Sequence, residues 1–286
     1  MKGIVLAGGT GSRLWPITRS ISKQLIPVYD KPMVYYPIST LMLAGIREIL
    51  IITTAHEQSQ FKALLGDGSD LGIHFQYAVQ HEPKGLAQAF TIGEEFLAGD
   101  SCLMILGDNI FHGAGLGRDI VRELPKSGAH IFTYEVSNPS DYGILEVSSD
   151  GVPLSISEKP VQFISNLAVT GLYYFDGGVP SVASQVKPSE RGELEITSVI
   201  EHYLKSHSLT FTRLSRGSAW LDTGNPDSLN DAAAYVRIIE DRTGLKIACL
   251  EEIAFTQGWI NEAHLQLRIK QYHMNSYAKY LQRLLD

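Results

Sequence analysis

The sequence predicts an α/β fold built on a doubly wound, mixed sheet. Short apolar runs of strand type alternate with longer amphipathic stretches of helix type through residues 1–107. From residue 131 the apolar residues alternate more strictly, and Asp150-Gly151 is a hairpin signal within that segment. The first pattern indicates a Rossmann-like sheet with much parallel pairing, and the second indicates an antiparallel insertion.

The first half is expected to contain four strands with helices between them. The strand runs are GIVLA (3–7), EILIIT (48–53), HFQYAV (74–79) and CLMILG (102–107), and the helix runs are MVYYPISTLMLAG (33–45), EQSQFKALLG (57–66) and GLAQAFTIGEEFLAG (85–99). Doubly wound sheets bind ligands at the carboxyl ends of their strands. We therefore expect a site at that edge.

The second half is expected to add antiparallel strands and then helices. The strand runs are IFTYEV (131–136), the hairpin 142–157, NLAVTGLYYF (166–175), LTFTRL (209–214) and AWL (219–221), with helices at 193–205 and after Asn225. The tail from Glu251 is expected to form a small C-terminal helical annex, with packing residues Trp259, Ile260, Leu265, Leu267, Tyr277 and Leu281. This predicts one α/β domain, residues 1–250, and an annex, residues 251–286.

The composition excludes several classes of partner. Lys and Arg number 24 against 31 Asp and Glu, giving a formal charge of -7, and no basic block suggests binding to nucleic acid or acidic membranes. The two cysteines, Cys102 and Cys249, have no metal-type or redox-type spacing. No secretory apolar region and no apolar run of ~20 residues is present. These features predict a soluble, cytoplasmic protein with a small-molecule substrate.

A glycine-rich turn, LAGGTGSRLWP (6–16), directly follows the first strand run. Such a turn allows backbone N–H groups to approach phosphate oxygens closely. A dinucleotide fingerprint would need glycine or alanine at Leu14, and a P-loop would need glycine and lysine at Arg13 and Leu14. Both fit poorly, so the turn predicts a different phosphate loop that carries its own Arg13, ten residues before Lys23.

This opening segment resembles the signature of the sugar nucleotidyltransferases. Residues 6–46 are most similar to the short bacterial glucose-1-phosphate thymidylyltransferases, whereas the bacterial uridylyl enzymes usually have KEMLP in place of KQLIP. Further matches are YAVQ (77–80), GLAQAF (85–90), LGDN (106–109), DYGILE (141–146), EKP (158–160), AVTGLYYFD (168–176), RGELEITSV (191–199) and AWLDTG (219–224). The resemblance covers nearly the whole chain.

The resemblance implies that a sugar-1-phosphate oxygen attacks the α-phosphorus of dTTP and expels pyrophosphate. The implied nucleotide-binding part is about 1–110 and the sugar-binding part about 111–225. The implied catalytic residues are Arg13, Lys23 and Lys159, and the implied Mg²⁺ ligands are Asp108 and Asp222. The implied nucleotide-binding residues are Gly8, Gly9, Gly11, Ser12, Arg13, Lys23, Gln24, Gln80, Gly85 and Asp108, and the implied sugar-binding residues are Asn109, Tyr142, Gly143, Glu158, Lys159, Val169 and Tyr173.

Taken singly, these residues also fit other interpretations. Arg13 and Lys23 could be surface charges, Asp108 a helix N-cap, and Asp222 a turn residue. At the level of function, a uridylyl or broad-specificity relative and a non-catalytic nucleotide-sugar sensor both remain open. The resemblance further implies a homotetramer, allosteric inhibition by an end product of dTDP-rhamnose synthesis, and a role for Arg216 in that regulation.

Overall fold

A nine-stranded mixed sheet with helices on both faces lies at the centre of the computed structural model, which describes residues 1–9 and 11–286. The predicted α/β class is confirmed. The strands are β1 Lys2–Ala7, β2 Pro27–Val28, β3 Lys31–Pro32, β4 Glu48–Thr53, β5 His74–Val79, β6 Cys102–Leu106, β7 Asn109–His112, β8 Ala129–Glu135, β9 Gly143–Val147, β10 Pro153–Glu158, β11 Leu167–Phe175, β12 Leu209–Arg213 and β13 Ala219–Asp222.

Helices cover both faces of this sheet. They are α1 Tyr35–Leu43, α2 Gln58–Leu65, α3 Gln88–Ile92, α4 Glu94–Leu97, α5 Leu116–Arg122, α6 Val179–Ala183, α7 Ile196–Lys205, α8 Pro226–Thr243, α9 Leu250–Thr256, α10 Glu262–Gln271 and α11 Ser276–Gln282. Within the part of the chain that the structure describes, no helix is both long enough and apolar enough to cross a bilayer.

The sheet order places β1 at the centre of the parallel half. The main path is β10-β9-β11-β6-β1-β4-β5, and β8 joins β11 to β12. Strand β1 pairs in parallel with β4 and β6, so that Val5 lies between Ile51 and Ile105. Strands covered on both faces are almost continuously apolar, which explains why EILIIT and CLMILG could be predicted as strands. The carboxyl ends of β1 and β6 are thereby brought to one edge.

Two apolar layers lie on opposite faces of the sheet because strand side chains alternate. Val5 and Leu103 face the layer covered by α1, α5 and the C-terminal helices. Ile4 and Met104 face the layer covered by α3, α6 and α7. Helices on both faces make the sheet doubly wound, as the sequence predicts.

Some elements differ from the prediction. The expected helix at 85–99 is divided into α3 and α4 at Gly93, whose added Cβ would lie 3.0 Å from the carbonyl oxygen of Ala89. Strand β13 pairs with β7 in a separate two-stranded sheet. Leu267 was expected to pack within the annex, but it is 58% exposed because it lies on the outer side of α10. The short elements β7, α5 and α6 were not predicted.

The C-terminal helices share a core with the main sheet. Leu250, Leu265 and Leu281 are buried in the same apolar layer as Val5. Glu251, which is 1% exposed, accepts hydrogen bonds from the hydroxyls of Tyr272 (2.5 Å) and Tyr277 (2.7 Å), and from Arg268 Nη2 (3.2 Å). This carboxylate therefore links α9 to α10 and α11.

We expect Glu251→Ala to lower the free energy of unfolding by ~3 to 5 kcal/mol, because it removes a buried carboxylate that accepts from a partly buried guanidinium and two partly buried hydroxyls. The matched control is Glu201→Ala, which breaks an exposed pair with Lys205 on α7 and should cost about 0.5 kcal/mol or less. Urea denaturation followed by circular dichroism measures both. Equal losses for the two variants would contradict the role given to Glu251.

Candidate active site

A cavity of about 570 Å³ opens at the carboxyl ends of β1 and β6. It is lined by every residue that the sequence predicted for nucleotide, sugar or metal binding: Gly8, Gly9, Gly11, Ser12, Arg13, Lys23, Gln24, Gln80, Gly85, Asp108, Asn109, Tyr142, Gly143, Glu158, Lys159, Val169, Tyr173 and Asp222. The structure thus brings the set together. The chemical role of each residue stays a prediction.

The glycine loop follows β1 without interruption and borders this cavity. Gly9 and Gly11 have φ values of 106° and 57°, in the left-handed region that favours glycine. A Cβ on Gly8 would lie 2.4 Å from Gln80 Oε1, so a side chain there would collide. Leu14 is buried and anchors the end of the loop. Thr10, within the predicted phosphate loop, lies outside the described residues.

Asp108 and Lys23 form an ion pair at the floor of the cavity. Lys23 Nζ donates to Asp108 Oδ2 at 2.5 Å, and Asn109 Nδ2 donates to Asp108 Oδ1 at 2.9 Å. Asp108 lies in the turn between β6 and β7, where no helix begins, so it is not a helix N-cap. Both carboxylate oxygens are therefore held in fixed directions.

Trp220 and Gly171 hold the Asn109 side chain in place. The Asn109 Oδ1 atom accepts from Trp220 Nε1 at 2.6 Å and from Gly171 N at 3.2 Å. The Trp220 ring also packs against Tyr142, with a centroid distance of 5.1 Å. Sequence reasoning missed Trp220, although it lies within the matched AWLDTG segment two residues before Asp222.

The pairing of β13 with β7 places Asp222 at the floor of the cavity, beside Asp108. Asp222 is opposite Asn109 in the antiparallel register. The following residue, Thr223, donates from its hydroxyl to the Asp108 carbonyl oxygen at 2.8 Å. Two carboxylates that are far apart in sequence thus become neighbours.

Burial and mutual repulsion give these carboxylates different proton affinities. Burial alone would raise the pKa of Asp108, but the charge of Lys23 and the hydrogen bonds from Lys23 and Asn109 lower that pKa below its ordinary value. Burial, followed by the Asp108 charge, raises the pKa of Asp222 to about 6. Among the described residues, no cluster of three or more His, Cys, Asp or Glu side chains forms a metal site. A cation here would need further ligands from substrate.

Glu158 and Lys159, at the end of β10, also line the cavity, and the charge of Lys159 is felt at Asp222. Lys159 has a φ of 43°, uncommon for a residue other than glycine, and its N–H donates to the Tyr142 carbonyl oxygen at 3.0 Å. Arg191 lies 3.7 Å from Glu158 and 3.8 Å from Glu195. Burial, followed by the charge of Glu195, raises the pKa of Glu158.

The sequence analysis assigned no role to Arg191 or Glu195, although both lie in the matched segment RGELEITSV (191–199). Val169 and Tyr173, on β11, are almost fully buried in the cavity wall. Arg216, the residue suggested for regulation, is exposed between β12 and β13 and does not line this cavity.

Comparison with known proteins identifies the family. The sequence profile named "Nucleotidyl transferase" matches residues 2–237. The chain belongs to the nucleotidyl transferase family. A glucose-1-phosphate thymidylyltransferase of Mycobacterium tuberculosis (strain CDC 1551 / Oshkosh) is 52% identical over 286 residues, covering 100% of this chain and 99% of the relative. A protein of the same name from Neisseria meningitidis is 51% identical with the same coverage. The resemblance predicted from the motifs is confirmed.

Solved structures agree with this placement of the nucleotidyl transferase chain. A Bacillus anthracis protein assigned as a glucose-1-phosphate thymidylyltransferase, crystallised with sucrose, is 40% identical, has a TM-score of 0.77 and covers 83% of this chain and 95% of its own. A UDP-glucose pyrophosphorylase complexed with UDP-glucose has a TM-score of 0.74 at 23% identity, covering 83% of this chain and 98% of its own. The second likeness shows the fold alone.

In the metal-free nucleotidyl transferase, we expect one carboxyl of the Asp108–Asp222 pair to titrate near pH 6, neutral below that pH and charged above it. Asp108→Asn should move the midpoint down towards 3.8, the ordinary value, because it removes the neighbouring negative charge. Carboxyl ¹³C shifts recorded against pH measure this. The exposed Asp227→Asn is the control and should not move the midpoint. An unchanged midpoint in Asp108→Asn would contradict the coupling.

Proposed function

We propose that this chain is a glucose-1-phosphate thymidylyltransferase, which converts dTTP and α-D-glucose 1-phosphate to dTDP-glucose and pyrophosphate. The observation that carries this proposal is its alignment, over its whole length and at about half identity, with relatives of that name. The cavity supports it further, because three cations and two carboxylates, Arg13, Lys23, Lys159, Asp108 and Asp222, line the same space.

The reaction needs positioning and charge neutralisation more than a general base. A sugar-1-phosphate oxygen is already ionised at neutral pH, so no residue has to remove its proton before attack on the α-phosphorus. In our proposal Lys159 binds the sugar phosphate, and Glu158 accepts hydrogen bonds from sugar hydroxyls.

Arg13 is the residue we assign to the departing pyrophosphate. Within the described chain it forms no salt bridge, whereas Lys23 is already paired with Asp108. Its guanidinium is therefore available to the charge that grows on the leaving group. The loop amides of Gly8, Gly9, Gly11 and Ser12 provide further donors in the same region.

Asp108 and Asp222 fit a divalent cation, and we propose Mg²⁺. Two neighbouring carboxylates at one buried floor, with the pKa of one raised, make a site that gains from added positive charge. Oxygen ligands supplemented by phosphate oxygens and water suit Mg²⁺ in particular. When bound, such an ion neutralises charge on the α-phosphate.

Further properties stay predictions, the first from the composition of the sequence and the others from the family resemblance. These are a cytoplasmic location, a homotetramer, inhibition by an end product of dTDP-rhamnose synthesis, and a part for Arg216 in that inhibition. The uridylyl or broad-specificity enzyme and the non-catalytic sensor are the alternatives that the following assay separates.

Pyrophosphate release is measured for a panel of nucleoside triphosphates and sugar 1-phosphates with Mg²⁺. We expect kcat/KM to be highest for dTTP with glucose 1-phosphate. A highest value with UTP would favour the uridylyl enzyme, and similar values across several sugars would favour broad specificity. Tight binding of dTDP-glucose without pyrophosphate release from any pair would favour the sensor and overturn the proposal.

We expect Arg13→Ala to lower kcat ~10²- to 10³-fold while raising KM for dTTP less, because its partner charge develops only as the bond to pyrophosphate breaks. Arg13→Lys should recover only part of this, since a lysine lacks the planar fork. Steady-state kinetics decides, with Arg19→Ala as the control. Arg19 is an exposed arginine of the same segment outside the cavity. An unchanged kcat with a raised KM would make Arg13 a ground-state binding residue.

A further inference from the structure

Gln80, in the cavity wall, is held by Gln88, the first residue of α3. The Gln80 Nε2 atom donates to Gln88 Oε1 at 2.7 Å and faces the Gly85 carbonyl oxygen at 3.4 Å. Gln80 is 5% exposed and lines the cavity, whereas Gln88 does not line it. Gln88 therefore lies behind the cavity wall and binds the side chain of Gln80.

The contacts of these two side chains fix which way each amide faces. Lys84 N–H, which can only donate, lies 3.2 Å from Gln88, so the Gln88 atom at that position must be the oxygen. That oxygen also faces Gln80, so the Gln80 atom opposite it must be the NH₂ group. The Gly85 carbonyl, which can only accept, requires the same orientation of Gln80.

The Gln80 oxygen consequently faces the phosphate loop. A Cβ on Gly8 would lie 2.4 Å from it, which places Oε1 directly beside the loop. Among residues 1–9 and 11–286, no hydrogen bond to Oε1 is formed. Gln80 Oε1 is thus a nearly buried acceptor in the cavity wall. Its direction is set by the contacts that Gln80 Nε2 makes with Gln88 and Gly85.

The family resemblance implies that Gln80 reads the base of the nucleotide. We propose that Gln88 is a positioning residue for nucleotide selectivity: it fixes the Gln80 amide so that the oxygen stays available to the base, which must then present a ring N–H. Thymine and uracil carry one ring donor, N3–H, and it matches this acceptor. Cytosine has an acceptor at N3, which would face the Gln80 oxygen lone pair to lone pair. This deepens the proposed function and rests on it for the identity of the ligand.

The selectivity between bases depends on one hydrogen bond. A base with a ring N–H pairs with the buried Gln80 oxygen, and a base with an acceptor at that position is repelled by it. A site built around such a bond rejects the analogue that leaves its buried group unpaired. A matched base contact contributes ~1 to 3 kcal/mol of discrimination, which is about 5- to 150-fold in affinity at ~1.4 kcal/mol per tenfold. We expect the wild-type protein to prefer dTTP and dUTP to dCTP by at least about tenfold.

The test is the dissociation constant for dTTP, dUTP, dCTP and N3-methyl-dTTP, measured by calorimetry without sugar phosphate so that no turnover occurs. Gln88→Met keeps the length of the side chain and removes the acceptor, which frees the Gln80 amide to rotate. We expect the preference for dTTP over dCTP and over N3-methyl-dTTP to fall about tenfold, with dTTP and dUTP weakened equally.

Two further variants at this position give opposite expectations. Gln88→Glu keeps the acceptor oxygen and replaces an NH₂ group that makes no hydrogen bond in the described chain. Its added negative charge should weaken all four nucleotides to a similar extent, so the preference among them should stay within a few-fold of wild type. Gln88→Lys places a donor opposite Gln80, should turn the Gln80 oxygen away from the base, and should move selectivity further towards dCTP than Gln88→Met does.

The matched control is Gln185→Met. Gln185 is an exposed glutamine after α6, and within the described residues its side chain bonds only to the Ser181 carbonyl. Thermal melting confirms that each variant is folded. An equal loss of affinity for all four nucleotides in Gln88→Met, or a selectivity within twofold of wild type in Gln88→Lys, would overturn the inference. Failure of the wild type to turn over dTTP would instead overturn the proposed function, since the binding measurements need no catalysis.

Discussion

The pairing of β13 with β7 is the constraint on which the candidate active site depends. It places Asp222 opposite Asn109 and therefore beside Asp108, at the carboxyl edge of the parallel strands. Burial of Asp222, followed by repulsion from the Asp108 charge, raises the pKa of Asp222. The fold maintains this arrangement because Thr223 and Asn109 tie both strands to Asp108.

The side chains around the carboxylates are mostly held by other side chains. Lys23 binds one oxygen of Asp108, Asn109 binds the other, and Trp220 orients Asn109. Similarly, Gln88 accepts a hydrogen bond from the side-chain amide of Gln80. Such support keeps donors and acceptors in fixed directions before substrate arrives, which reduces the reorganisation that binding requires.

Much of the fold was predictable because β1, β4 and β6 are covered on both faces and therefore almost wholly apolar. Four-residue strands such as β7 carry too short a pattern to be recognised, and the division at Gly93 depends on a tertiary contact. The site residues could be predicted because their motifs resemble a known family, and all of them line the cavity. Trp220 and Arg191 line the cavity, and Gln88 binds Gln80 behind it. These three residues were missed because sequence patterns do not show which side chains contact one another in the fold.

The central claim is that Asp108 and Asp222 together hold the divalent cation that accompanies the nucleotide. The most direct measurement is a crystal structure with Mn²⁺ and a non-hydrolysable dTTP analogue, in which anomalous scattering locates the metal. We expect one metal peak bridging both carboxylates and an α-phosphate oxygen, at separations close to the ~2.1 Å of Mg²⁺ coordination. A metal held by phosphates and water alone, with both carboxylates turned away, would contradict the account.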